Sequence, residues 1–155
     1  MSTKKIKKLV FTMILIVCLA YGAFWLLLRP SGLDKKTATD HFDKHRTSYE
    51  NVAEFLVANK YTTNITGYLT IDNHYGIVGD DSNEYKSFAN GVDDLMTGIS
   101  LDAISAEGTV VRFKQQKEGG LWNREHIEIV YCKGTEPAGT TPLGPVNWYY
   151  EIVKD

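Results

Sequence analysis

The feature that most constrains this chain is an apolar run near its N-terminus, LVFTMILIVCLAYGAFWLLL, which begins at Leu9 and ends at Leu28. None of these twenty residues is charged. At about 1.5 Å of rise per residue, a helix of this length spans about 30 Å, which is the hydrocarbon thickness of a bilayer. A helix in the core of a small soluble domain is rarely apolar on every side. The run therefore predicts a helix that crosses a membrane.

Cleavage after Ala20-Tyr21-Gly22 is the alternative interpretation, because signal peptidase needs small residues at the first and third positions before its cut. The apolar run nevertheless continues through Leu28. The apolar core of a signal peptide has only about 7 to 15 residues and becomes polar near the cut. We therefore predict that the segment is retained as a membrane anchor.

The distribution of basic residues predicts the orientation of this anchor. Four lysines precede the apolar run in MSTKKIKK, and only three basic residues follow it closely. Because the more basic flank of a membrane helix stays in the cytoplasm, the C-terminal part is expected on the other side of the membrane. The predicted organisation is a cytoplasmic N-terminus (1–8), a transmembrane signal anchor (9–28), a tether (29–38) and one extracytoplasmic domain (39–155).

Two segments of the domain carry apolar residues at helical spacing. The first is predicted to run from a cap at Thr37 or Thr39 to about Asn59, and the second from a cap at Asp81 to a stop at Gly98. The side chains at helical spacing in the first segment are Phe42, His45, Tyr49, Val52, Ala53 and Leu56. Both segments are expected to be amphipathic helices with one buried face.

The last third of the chain alternates with period two, so that Val111 and Phe113 face one way and the intervening basic residues the other. Ile99 and Leu101 are predicted to begin another strand, residues 126–131 and 146–152 alternate in the same manner, and residues 65–71 form a further strand candidate. Three consecutive antiparallel strands, with a fourth possible, would form a sheet whose apolar face is covered by the two helices. The predicted fold class is α+β.

The charge of the chain beyond the anchor disfavours nucleic acid as a partner. From Pro30 onward there are 12 lysines and arginines against 19 aspartates and glutamates, a net charge of −7. An acidic domain repels phosphate backbones, and the sequence contains no basic stripe or zinc finger. A cationic or neutral partner is expected instead, although acidity can also serve only to keep a domain soluble.

The best candidate for chemistry is the motif HFDKH, which places His41 and His45 one helical turn apart, a spacing at which two imidazoles can hold one metal ion. A zinc protease motif of this spacing would have Glu directly after the first histidine, where this chain has Phe42. A third ligand would have to come from elsewhere, and His74 and His126 are the candidates. No Gly-x-Ser-x-Gly nucleophile motif is present. We therefore predict no catalytic residue and no cofactor, with the histidine pair at the edge of the core as the metal candidate.

Two surfaces are predicted to contact a partner. The first is the polar face of the first helix, where Asp43, Glu50 and Glu54 are expected to be exposed and unpaired. The second lies near Trp122, which follows two glycines, and Tyr149, which alternation places on the face opposite the core.

The C-terminal stretch GTVVRFKQQKEGGLWNREHIEIVYC and the closing VNWYYEIV resemble small, uncharacterised membrane-attached or secreted domains of Gram-positive bacteria. The likeness covers residues 99–153 and is carried by the core pattern and by the pair Trp148-Tyr149. It implies an α+β fold outside the cell membrane and implies no activity.

Anchor, charge and motifs together favour a non-enzymatic module, anchored in the membrane, that binds a protein or an envelope component. One alternative is a metal-dependent enzyme that uses His41 and His45. The other is a subunit of a larger membrane complex that docks through its helix, where Cys18 and Gly22 would form a small packing face.

Overall fold

The computed structural model describes residues 3–29, 32–66, 82–120 and 123–154. The helices are α1 (Thr3–Leu28), α2 (Lys35–Lys44), α3 (Arg46–Ala58) and α4 (Asn83–Asp93), the last continued by a π-helical turn, Asp94–Gly98. The strands are β1 (Thr63–Thr66), β2 (Ala103–Glu107), β3 (Val110–Lys114), β4 (Glu118–Gly120), β5 (Asn123–Cys132), β6 (Thr141–Pro142) and β7 (Trp148–Lys154). The predicted α+β class, with helices packed on an antiparallel sheet, is confirmed.

Helix α1 contains an apolar stretch, Val10–Leu28, that is long enough to cross a membrane and lies near the N-terminus. None of this stretch is buried in the protein. Its large apolar side chains are exposed around the whole circumference, for example Leu19 at 65% and Trp25 at 54%. The helix therefore does not belong to the core of the folded domain.

The single helix predicted up to Asn59 is wrong, because two helices meet at His45. This residue has φ −119° and ψ 21°, outside the helical region, and its N–H donates to the Phe42 carbonyl at 3.1 Å. The cap is also one turn earlier than predicted, because the Asp34 carboxylate accepts the Thr37 N–H at 2.8 Å. Helix α2 consequently begins within the segment predicted as a tether.

The second predicted helix exists, and its start is fixed by Ser82, whose hydroxyl accepts the Tyr85 N–H at 3.1 Å. The predicted cap, Asp81, lies outside the described residues. At its end the Ile99 N–H donates to the Asp94 carbonyl at 3.2 Å, which closes the π-helical turn at Gly98, the predicted stop.

The sheet has the strand order β1-β2-β3-β5-β7-β6, and every neighbouring pair is antiparallel. Strand β4 pairs with the N-terminal end of β5, beside the part of β5 that pairs with β3. Between the pairs Lys114↔Glu128 and Glu118↔Glu125, the segment that joins β3 to β4 has three residues and the facing part of β5 has two. The extra residue forms a β-bulge. With seven strands among the described residues, the sheet is wider than the three or four strands predicted.

Two strand boundaries differ from the predicted ones. The strand expected to begin near Ile99 begins at Ala103, and the last strand begins at Trp148. Val146, predicted to alternate into the sheet, lies in the preceding turn and is 84% exposed. Prolines and glycines of residues 134–145 shape that turn, so its apolar residue has no strand to join.

One face of the sheet carries the core, beneath α2, α3 and α4. Val111 and Phe113 are fully buried on this face, as the alternation predicted. Trp148 lies at its centre, with ring centroids 4.7 Å from Phe42 and 5.0 Å from Tyr131. Aromatic rings therefore form part of the contact between the helices and the sheet.

The opposite face carries charged side chains. Arg112 contacts Glu128 at 3.0 Å and Glu151 at 3.3 Å, and these two glutamates lie directly opposite each other on β5 and β7. The guanidinium separates two like charges that would otherwise repel across the strand pair.

Candidate functional site

The first candidate site is a cluster of polar side chains where α2 meets α3. It contains both predicted histidines, and their ring centroids lie 5.8 Å apart. His41 Nδ1 contacts the Tyr49 hydroxyl at 3.0 Å, and His45 Nδ1 contacts Asp94 Oδ2 at 3.3 Å. Ser48 donates its hydroxyl hydrogen to the same Asp94 oxygen at 2.6 Å.

The surroundings of this cluster change the protonation of its members. Burial, together with smaller effects of the neighbouring His45 and Lys44, lowers the pKa of His41 to about 4. The Ser48 hydroxyl lowers the pKa of Asp94, and His45 acts in the same direction. Burial raises the pKa of Tyr49. At neutral pH the cluster therefore holds a neutral His41 and an ionised Asp94.

Gln115 lies beneath this cluster, in the bulge between β3 and β4. Its side chain is 9% exposed and lies near the Tyr49 hydroxyl. The Nε2 atom is buried and has no hydrogen-bond partner among the described residues. Gln115 is therefore a buried amide close to the Tyr49 hydroxyl, where it partly opposes the rise in the pKa of Tyr49.

The partners of the histidines were missed by the sequence analysis. Asp94 and Ser48 lie 46 residues apart in sequence, and Asp94 and His45 lie 49 apart. Tyr49 was assigned to the apolar stripe, correctly for its ring, but its hydroxyl is the group that contacts His41.

The second candidate site is a groove of about 450 Å³ between α3 and the start of α4. Its lining residues are Asn51, Glu54, Phe55, Ala58, Asn59, Asn83, Glu84 and Ser87. Both charged residues are acidic and exposed, and no ion pair joins either of them to another described residue. Of the predicted partner surface, the groove contains Glu54, whereas Glu84 was missed because it belongs to a different helix.

The predicted acidic face of the first helix is not one surface. Asp43 lies on α2, beyond the break at His45, and its carboxylate binds the Arg46 guanidinium at 2.6 Å. The prediction that Asp43 is unpaired is therefore wrong. Glu50 and Glu54 remain together on α3, with Glu50 half-buried and Glu54 exposed.

The predicted aromatic surface is only partly described. Tyr149 is half-buried and pairs with Val130, on the face opposite the core. Trp122 lies outside the described residues. The two residues are thus not placed relative to each other.

A third protein ligand beside the histidine pair would have to come from elsewhere in the chain. Within the described ranges, no group of three or more His, Cys, Asp or Glu side chains is arranged to hold a metal ion. His126 lies on β5, where its Nε2 contacts Glu128 at 3.4 Å. The other proposed third ligand, His74, lies outside the described residues.

No protein-family model matches this chain, and it has no match among curated proteins or solved structures. The resemblance of residues 99–153 to small membrane-attached domains therefore stays a prediction. Function must be argued from the geometry of the chain itself.

Proposed function

We propose that this chain is a single-pass membrane protein whose extracytoplasmic domain binds a protein or an envelope component without catalysing a reaction. The observation that carries the proposal is the exposure of α1. A continuous apolar surface on all sides of a helix is far larger than the patches that soluble domains expose to water. A lipid bilayer is the environment that removes such a surface from water.

The proposed orientation and retention of α1 rest on its flanks. Its N-terminal end carries the four lysines, which favours a cytoplasmic N-terminus. The helix continues to Leu28, well beyond the length of a signal-peptide core. At its end the Arg29 guanidinium lies 5.3 Å from the Trp25 ring centre, and Trp and Arg are typical of a membrane interface.

Binding, rather than catalysis, is supported by the arrangement of polar groups. Ser48 and His45 both bind Asp94, so the hydroxyl is not held against the imidazole as a nucleophile would be held against its base. The groove between α3 and α4, in contrast, presents Glu54 and Glu84 to solvent. We propose that this groove receives a basic segment of the partner, in keeping with the net charge of −7 beyond the anchor.

The anchor is tested by mass spectrometry of the protein extracted from membranes, combined with protease treatment of intact cells. We expect an intact N-terminus and a domain that is digested from outside. A mature N-terminus at Ala23, or a domain protected from protease, would contradict the proposal.

The binding surface is tested by cross-linking in envelope membranes at low and high salt. Glu54→Gln with Glu84→Gln should weaken capture of the partner and remove its salt dependence, because screening acts over about 8 Å at physiological ionic strength. The matched control is Glu118→Gln with Glu136→Gln, which removes the same charge from exposed positions outside the groove. Equal capture by both double variants would show that the groove is not the contact surface.

A further inference from the structure

The two histidines at the α2–α3 junction share a feature that the binding proposal does not use. Each has its Nδ1 atom in contact with a polar side chain, Tyr49 for His41 and Asp94 for His45. Within the described part of the chain, neither Nε2 atom has a hydrogen-bond partner. An imidazole oriented through one nitrogen, with the other nitrogen open, is the usual arrangement of a metal-ligating histidine.

The distance between the rings permits a shared ion. A metal bound about 2.0 to 2.1 Å from Nε2 lies about 3.2 Å from the ring centre, so two rings that share one ion have centres at most about 6.4 Å apart. The observed separation is 5.8 Å, with the ring planes tilted by 42°. Such a separation corresponds to a wide angle between the two nitrogens at the metal.

We propose that His41 and His45 bind one divalent transition-metal ion of the Cu²⁺ or Zn²⁺ class through their Nε2 atoms, with Asp94 and Tyr49 as positioning residues. Imidazole nitrogen selects these ions over Mg²⁺ and Ca²⁺, which prefer oxygen ligands. The proposal is independent of the partner-binding groove, because the two sites share no residue.

The charged groups around the histidine pair have opposite effects on the binding of a cation. Lys44 disfavours a further positive charge near His41, whereas the Asp94 carboxylate offsets the charge of an ion bound to His45. With two protein ligands, the remaining coordination positions are open to water or to a ligand from outside the chain.

The test uses the full-length protein in detergent, purified without a polyhistidine tag and stripped with a chelator. Titration with Cu²⁺ should show one ion per chain, and its electron paramagnetic resonance spectrum should show coupling to two imidazole nitrogens. Mg²⁺ should not compete with Cu²⁺, whereas Zn²⁺ should compete when it is present in large excess, because Cu²⁺ binds nitrogen ligands more tightly than Zn²⁺ does. These measurements on the wild-type protein do not depend on any variant folding.

Variants then assign the ligands. His41→Gln and His45→Gln should each weaken Cu²⁺ binding at least tenfold, and the control Glu136→Gln, at an exposed position outside the cluster, should leave it unchanged. Asp94→Asn should weaken binding about tenfold while two nitrogens remain coupled, because outer partners of metal ligands contribute about 10- to 100-fold.

Two outcomes would overturn the proposal. One is wild-type Cu²⁺ binding no tighter than that of the His41→Gln/His45→Gln double variant. The other is a loss in Glu136→Gln as large as the loss in either single variant of the pair. A failure of this site would leave the partner-binding groove untouched, because the groove is tested by separate variants.

Discussion

The low pKa of His41 predicts that the domain loses stability between neutral and mildly acidic pH. Burial holds the pKa of this imidazole at about 4 in the folded protein, against an ordinary value of 6.5. Between these two values the unfolded chain binds a proton that the folded protein rejects. The free energy of unfolding must therefore fall as the pH falls from about 6.5 towards 4.

The magnitude follows from the interval between the two pKa values. At about 1.36 kcal/mol per pH unit, the interval corresponds to about 3 kcal/mol for a fully enclosed group. Because His41 is only half-buried, water screens part of this penalty, and we expect a loss of about 1 to 2 kcal/mol. Asp94 does not contribute in this window, because its lowered pKa places its own loss below the ordinary value of 3.8.

Urea denaturation at pH 7 and pH 4.5 measures this loss. The assay uses full-length protein in detergent with a chelator present, and follows tryptophan fluorescence, because Trp148 lies in the core. His41→Gln should show a smaller loss on acidification than the wild type, by about 1 to 2 kcal/mol, because glutamine does not titrate. Equal losses in the two proteins, or an NMR titration that gives His41 a pKa near 6.5, would refute the reasoning.

Three further substitutions test the packing of helices and sheet by the same denaturation assay. Gly91→Ala should destabilise the domain by up to about 2 kcal/mol, because the added Cβ would lie 3.0 Å from the Ser48 carbonyl oxygen. The cost of this overpacking exceeds the gain of about 1 kcal/mol in helix propensity. A variant as stable as the wild type, or more stable, would contradict this prediction. Arg112→Gln should lower the free energy of unfolding by about 1 to 2 kcal/mol, and Glu151→Gln should restore part of this loss because the two side chains form an ion pair. If the losses of the two single variants simply add in the double variant, the predicted coupling is absent. Trp148→Ala should cost about 3 to 5 kcal/mol, and a loss below 1 kcal/mol would show that this ring is not central to the core.

The fold class was predictable because both helices and strands leave periodic patterns in the sequence. The alternation at Val111 and Phe113 depends only on which side chains face the core, and the structure confirms it because both residues are fully buried. The break at His45 was not predictable, because one non-helical residue leaves the apolar positions on either side nearly in phase. The cap at Asp34 was overlooked since Thr37 is also a good cap residue, and here it supplies the N–H instead.

The candidate sites were predictable only where their members are close in sequence. His41 and His45 were found by their spacing, but Asp94 reaches them through the packing of α4 on α3, 49 residues away. The acidic face was found on one helix, while the groove is made by two, and Glu84 has no sequence relation to Glu54. Contacts between elements that are distant in sequence form only through tertiary packing, and a single sequence contains no direct signal for such contacts.

The short connection between α1 and α2 has a consequence for how a partner is met. Six residues, 29–34, separate the last residue of α1 from the first residue of α2. At no more than about 3.6 Å per residue, they reach about 20 Å when fully extended. Under the proposed anchoring, the first residue of α2 stays within about two nanometres of the end of α1, so the domain stays in the layer next to the bilayer surface, where a tethered binder has a high effective concentration towards neighbours in the same layer. A partner held in the same membrane would therefore meet it by lateral diffusion in two dimensions, whereas a freely diffusing partner would first have to enter that layer.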